Sequence, residues 1–412
     1  MSASRNSWVA RLGMAAPFLA AALIAVPASA RASSAYSAGG LGEPSLEEPA
    51  RLRALGGAGA AEHGPRAFSL VNPASVAEVD HLILEGTVMP SMRRVSALSF
   101  PSETARETVV PSLRALVRIP GRFTLGGAYL VGTNGRFGID RPESSGAPST
   151  LRIDGSGGID LIRITLARRL TPSVNLGADY EVIVGSFRED WARDFVDPAL
   201  ITTRDTLETT WERQGRWRFG AQVHHGTWAL GGVYELPRRL PLATTQRTAG
   251  TFVREEHRNL TIPSGFTVGG MAPLTDRLRA VGQYRRANWS RASLESDLAD
   301  FRAEQRWSFG LELLPAADAS RFLTRLPLRV GATVLTWPDL LVRAGATDVS
   351  GGTAGVKEVA FSVGTGLRSQ DRGGAVDLSL EAGSRGDKDA LGIGEKFVRF
   401  AVSLQVSDDT WK

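Results

Sequence analysis

A period of two runs through most of this chain, and only an extended strand with two unlike faces satisfies it. In "VRFAVSLQV", Val398, Phe400, Val402, Leu404 and Val406 oppose Arg399, Ala401, Ser403 and Gln405. In "AVDLSLEA", Val376, Leu378 and Leu380 oppose Asp377, Ser379 and Glu381. "DLIRITLA" sets Ile162, Ile164 and Leu166 against Arg163 and Thr165, and "VNLGADYEVIV" sets Val174, Leu176 and Tyr180 against Asn175, Asp179 and Glu181. Such segments number fourteen, near 81–90, 110–118, 122–131, 158–169, 173–185, 209–223, 227–236, 265–273, 277–290, 303–313, 327–336, 356–367, 375–384 and 396–406.

The connections alternate too. Short links such as 119–121, 170–172, 224–226 and 274–276 are interleaved with mostly longer ones, among them 132–157, 186–208 and 237–264. Short turns at one end, long loops at the other and an even strand count describe a transmembrane antiparallel β-barrel of an outer membrane. A soluble sandwich or propeller also alternates, but rarely needs fourteen strands of roughly ten residues. Trp228, Tyr234, Tyr284, Trp289, Trp307 and Trp337 stand at strand ends, where interfacial aromatic girdles sit. The last segment alternates and carries Trp411 near its end, which suits recognition by the barrel-assembly machinery during biogenesis.

A phrase recurs: bulky apolar, any residue, apolar, Gly. It reads "FTLGGAY" from Phe123, "VNLGADY" from Val174, "WRFGAQV" from Trp217 and "WALGGVY" from Trp228. It returns as "FTVGGMA" from Phe266, "WSFGLEL" from Trp307, "LRVGATV" from Leu328 and "FSVGTGL" from Phe361. Its irregular spacing excludes a solenoid and implies many strands meeting one common environment.

Residues 1–30 read as an export signal: Arg5 and Arg11, the apolar "LGMAAPFLAAALIAVP", then Ala28-Ser29-Ala30. Removal of two arginines lowers the formal charge from +5 to 5 − 2 = +3. Basic residues are scattered among acids, and an exported chain has no nucleic-acid partner to expect. The absence of cysteine excludes disulfides, thiolate metal sites and cysteine nucleophiles. Five histidines form no H-x-x-x-H pair and no Ser-His-carboxylate spacing, so neither an enzyme nor a cofactor is expected.

Between signal and first strand, residues 31–80 hold a small-residue patch with Gly56, Gly57 and Gly59, and an Asn72-Pro73 turn. From here the chain resembles the FadL/TodX family of outer-membrane transporters for long-chain fatty acids and other hydrophobic compounds. "ALGGAGAAEHGPRAFSLVNPASVAEVD" is similar to the family's N-terminal phrase, and "IPSGFTVGGMAPLTDRLRAVGQYRRANWS" to its mid-barrel hairpin. "LPLRVGATV" through "VDLSLEAGSRGD" to "EKFVRFAVSLQVSDDTW" is similar to its last strands. The resemblance implies fourteen strands (81–412), with residues 31–80 as a hatch inside the lumen.

It also implies passive uptake of a hydrophobic small-molecule ligand, a fatty acid or hydrocarbon, in an outer membrane of lipid and lipopolysaccharide. Strand three would kink, and the adjacent Gly126 and Gly127 could host the bulge. The predicted inward faces carry Asp160, Arg163, Asp179, Glu181, Arg216, Arg218, Arg279, Arg285, Asp377, Glu381 and Arg399. These charges either pair and solvate one another or, through Arg163, Arg216, Arg218, Arg279 and Arg399, grip a carboxylate headgroup. "WARDFVDPALI" at 191–201 is a candidate capture loop. Two other roles remain open on the same fold: a PorV-like secretion scaffold or cargo shuttle, and an open porin without a hatch.

Overall fold

The computed structural model describes residues 34–38, 42–65, 67–97, 102–143, 146–289, 303–316, 322–338, 356–368 and 373–408. Residues 1–30, expected to be an export signal, and Trp411 lie outside them.

The wall begins with β1 (Leu82–Ala97), β2 (Glu103–Ile119), β3 (Phe123–Val131), β4 (Ser149–Thr171) and β5 (Val174–Phe195). It continues with β6 (Gln214–His225), β7 (Trp228–Glu235), β8 (Gly265–Pro273), β9 (Leu278–Ala287) and β10 (Glu304–Leu313). It ends with β11 (Leu328–Thr336), β12 (Lys357–Arg368), β13 (Gly374–Asp387) and β14 (Ile393–Asp408). Each strand pairs antiparallel with the next. β14 returns to β1, with Leu82 opposite Asp408 and Ala97 opposite Ile393. Among the described residues, fourteen strands therefore close a ring. Closure removes the free edges that lipid could not solvate.

The faces are inverted relative to a soluble protein. On β4, Ile162, Ile164 and Leu166 are exposed, Ile164 to 54%, while Arg163 between them is only 2% exposed. All eight copies of the recurring phrase repeat this pattern. Their third residues (Leu125, Leu176, Phe219, Leu230, Val268, Phe309, Val330 and Val363) are exposed, and their second residues are buried. An apolar belt facing out over a polar interior is what a lipid-embedded barrel requires. Tyr180, Trp217, Phe219, Phe266, Tyr284, Trp307 and Phe309 form ring contacts along β5 to β10, with Tyr284 and Trp307 4.4 Å apart.

Four expectations change. The longer connections carry strands of their own: Phe137–Glu143, Thr203–Trp211, Arg238–Thr248 and Thr251–Ile262. They extend the sheet on β4 and β5 beyond the apolar belt. Beyond Leu240, Leu242, Leu260 and Ile262 they carry mostly polar side chains on both faces, so they lack the sustained period that marks a half-buried strand. Asp160 lies on the outward side of β4, where it bonds Tyr129, because Ile159 and Leu161 take the inward positions. Trp337 is buried under the Arg385 guanidinium, and Trp289 packs on an inner apolar cluster, so neither joins a girdle. Finally, β3 pairs with both neighbours straight through Gly126 and Gly127, so these glycines form no bulge. A side chain at Gly126 would instead collide with Leu116, whereas Gly127 faces open space. Register shifts fall elsewhere, one of them between β1 and β2 at Thr87/Met89, near Pro90 and Pro111.

Candidate lumen site

Residues 34–38, 42–65 and 67–80 run along the inward face of this wall. At the long-loop end, Ser34 Oγ donates to Glu395 at 2.9 Å, Tyr36 Oη to the Ile393 carbonyl at 2.5 Å, and Ser37 Oγ to the Asn134 carbonyl at 3.0 Å. Glu43–Pro44 then pairs with Thr133–Asn134. A one-turn helix, Ala50–Arg53, leads into Gly56 (φ +69°) and Gly57 (φ +80°), whose left-handed backbone suits glycine. At the short-turn end, His63 stacks on His224 at 4.6 Å. Asn72 caps the 3₁₀ helix Pro73–Glu78 by accepting from the Ala74 amide at 2.9 Å. Its amide nitrogen donates to the Ala60 and Ala221 carbonyls at 2.7 and 3.2 Å, tying turn to patch and patch to wall.

The recurring glycines explain the close fit. Of the eight, seven (Gly177, Gly220, Gly231, Gly269, Gly310, Gly331 and Gly364) would drive a Cβ into residues 54–60 or 72–74. The common environment of those strands is the N-terminal segment itself. Gly56 and Gly59 leave equally little room, against Ala332 and against Ser69 respectively. A cavity between Arg51, Leu55 and Ala58 and wall residues Met271 and Val281 measures about 10 Å³, enough for one water and no larger molecule.

Charge does the rest. Arg163 donates to Glu181 at 2.5 Å, to Glu47 at 3.0 Å and to the Leu70 carbonyl at 2.9 Å. Arg218 donates to Asp179 at 2.9 Å and to the Val71 carbonyl at 2.6 Å. Arg216 donates to Glu181 at 2.6 Å, and Arg285 to Glu235 at 2.5 Å. Arg399 donates to Glu381, Glu358 and Glu43 at 2.6, 2.9 and 3.0 Å. Arg279 stands half-buried on the inward face of β9, across from Glu312. Thus Arg163, Arg216 and Arg218 share one network through Asp179, Glu181 and Glu235, and Arg399 belongs to a second with Glu43, Glu358 and Glu381; in both the acceptors are the protein's own carboxylates and carbonyls, satisfying charges that burial would otherwise strand.

Two acids of the segment contrast. Glu43 accepts from Arg93, Arg385 and Arg399. Burial alone would raise its pKa, but those three guanidiniums hold it well below the usual carboxylate range. The Glu48 carboxylate accepts from Leu70 N at 3.1 Å and Ser69 Oγ at 3.4 Å, and its second oxygen has no protein partner among the described residues. Burial first, then the charge of Glu47, pushes it up to about 7. With the folded pKa raised, its contribution to docking is complete below the unfolded value and fades as pH climbs through 7. Glu48→Gln is therefore expected to tighten the segment at pH 8 by roughly 2–3 kcal/mol and to change little at pH 5. Tryptic cleavage at Arg51 and Arg53 would read this; equal rates in wild type and variant at pH 8 would refute it.

Toward the long-loop end the interior turns apolar. Leu70, Leu130, Ile159, Leu161, Ile183, Leu240, Leu260 and Ile262 form a buried cluster, flanked by Trp211, Leu242 and Trp289. It joins β3 to β5 with the extension hairpin and with the segment through Leu70. Sequence reasoning misses it, because its members come one or two at a time from separate strands. Among the described residues, no three His, Asp or Glu groups gather as a metal site would need.

A family model described as BamG matches residues 242–412. No curated protein matches the chain by sequence. Solved structures match in fold. The toluene transporter TbuX of Ralstonia pickettii has a TM-score of 0.59 at 14% identity, over 88% of this chain and 99% of its own. A FadL homologue of Pseudomonas aeruginosa gives 0.58 at 12% identity, over 87% and 98%. The toluene transporter TodX of Pseudomonas putida gives 0.52 at 13% identity, over 88% and 98%. The resemblance to FadL/TodX barrels read from the sequence holds for the fold.

Proposed function

We propose that this barrel carries hydrophobic small molecules passively across a bacterial outer membrane, after an export signal over residues 1–30 has been removed. Residues 31–80 would act as the hatch, and 81–412 as the wall. The observation that carries this reading is the apolar cluster around Leu70, Leu161 and Ile183, the largest of several buried apolar clusters among the described residues, in an interior also lined with ion pairs. It lies beneath the extension hairpin, against the segment that closes the lumen. Solved barrels of similar fold are described as toluene transporters, which supports the same reading. An uncharged hydrocarbon suits the cluster better than a fatty acid, since Arg163, Arg216, Arg218 and Arg399 already donate to protein groups.

The match to the BamG model favours a second reading, a barrel that works beside the assembly machinery rather than on a small molecule. Titrating with toluene a purified variant that keeps Trp211 and Trp289 and carries phenylalanine at the other tryptophans, while recording its emission, separates the two. Saturable quenching is expected, weakened about tenfold or more by Leu161→Arg, which puts a charge into the cluster. An unresponsive emission, with an outer-membrane protein retained through purification, would discard the transport reading and keep the second.

A further inference from the structure

The joint between the first and last strands carries a cluster of cations on its outer surface. Arg94 of β1 stands directly opposite Lys396 of β14, and both are exposed. Arg106 of β2, also exposed, lies opposite Met92, which sets it diagonally from Arg94 at about 7–8 Å. Exposed Lys357 of β12 flanks the group on the other side, two strands from β14. Ser384 faces Lys396 and Thr104 faces Arg94, so hydroxyls complete the row. Like charges directly opposite one another destabilise a ladder, and here they sit on the joint that closes the ring.

Among the described residues no acid pairs with these four cations. The neighbouring acids are engaged on the inner face: Glu358, Glu381 and Glu395 hold Arg385 and Arg399, and Glu107 accepts from Asn134. Asp387, in the turn above, accepts from the Asp389 amide. Exposed arginines of the extended sheet behave differently, Arg188 pairing with Asp190, Arg193 with Glu143 and Arg247 with Glu208.

The height of the cluster selects the part of the membrane that meets it. One step toward the short turns on the same outward face come Met92 and Val398, and one step further Phe400 with Leu380, all exposed and apolar. The cations therefore stand at the upper edge of the apolar belt. The long-loop end of such a barrel is its extracellular side, so this edge lies at the headgroups of the outer leaflet.

We propose that this joint binds the phosphates of lipopolysaccharide in the outer leaflet, whose acyl chains lie on Met92, Val398 and Phe400. A phosphate between Arg94 and Lys396 turns a repelling pair into a bridge, and a guanidinium offers it two parallel N–H donors. Arg106 and Lys357, set to either side, suit a head carrying more than one phosphate; a single phosphate would leave part of the cluster unanswered. The lipid staples the first strand to the last from outside. This rests on the outer-membrane placement and on nothing about the cargo.

Native mass spectrometry of the full barrel, stripped of lipid and titrated with deep-rough lipopolysaccharide, tests it. Wild type is expected to retain one molecule, and Arg94→Gln combined with Lys396→Gln to bind it about tenfold more weakly or worse. Arg94→Lys combined with Lys396→Arg keeps both charges and should bind as wild type does. Arg188→Gln, which removes an arginine already paired with Asp190, should leave binding unchanged. The lipid should also raise the temperature at which wild type loses its compact gel migration, and leave that of the double glutamine variant where it was. Equal binding by wild type and that variant would overturn the proposal. So would phosphatidylglycerol or inorganic phosphate held as tightly by the same residues, and binding without the rise in temperature would overturn the staple. If the double glutamine variant fails to fold, Arg106→Gln combined with Lys357→Gln makes the same comparison beside an intact joint.

Discussion

Leucine at position 231 is expected to expel the N-terminal segment from the lumen and turn a closed barrel into a conducting one. A Cβ on Gly231 would overlap the Ala60 carbonyl oxygen, a backbone atom that no rotamer change can move aside. The strand cannot yield, because β7 is paired along its length with β6 and β8. Nor can the carbonyl, since Asn72 Nδ2 donates to it at 2.7 Å. Overpacking a tight core usually costs about 1–3 kcal/mol, and a backbone collision lies at or beyond the top of that range. In planar bilayers, Gly231→Leu should raise ion conductance by about tenfold or more, with Arg51 and Arg53 opened to trypsin. Gly232 supplies the control: it faces outward, its nearest contact would be Thr267 O at 3.9 Å, and leucine there should change neither reading. A Gly231→Leu barrel as closed as the wild type would mean that the segment does not fill the lumen in solution.

Glu43→Gln should give the second largest effect, at the opposite end of the segment. One carboxylate accepts from three guanidiniums there, and a neutral amide leaves Arg93, Arg385 and Arg399 to share Glu358, Glu381 and Glu395. Removing one member of a buried ionic cluster costs about 3–5 kcal/mol. That is roughly a hundredfold or more in the population with residues 34–44 released. Because the Glu43 pKa is depressed, its stabilising contribution is present above the ordinary carboxylate value and is lost only as pH falls through the depressed one. Hydrogen exchange over residues 34–44 should therefore stay slow in the wild type down to pH 4 and be fast in the variant throughout. Equal protection in the two proteins would show that the cluster redistributes its charge without loss.

The strands were legible because lipid outside and polar groups inside give every wall strand two unlike faces; Ile162, Arg163 and Ile164 say so in three letters. The extension strands were not, since Thr203–Trp211 and Arg238–Thr248 stand clear of the apolar belt. The glycine phrase was visible as a repeat, but its meaning required the partner: nothing near Gly231 in sequence mentions Ala60. Glu43 and Glu48 read as ordinary acids in a loop; both are buried, and only the donors that folding brings, three guanidiniums to Glu43 against an amide and a hydroxyl to the Glu48 carboxylate, tell them apart. Leu70 is one leucine among many until β3, β4 and β5 are rolled into a wall around it.

That the segment comes first in the chain, and lies within a ring completed by its last strand, sets a timetable. Residues 34–80 are made before β1, while β14, which seals the circumference against β1, is made last. A finished ring with glycines pressed on main chain leaves no passage through which forty-odd residues could later be drawn in. The segment must already be inside when β14 arrives. The wall is laid around the segment that precedes it, as a cask is raised around its contents, and a barrel sealed too early is a barrel sealed empty.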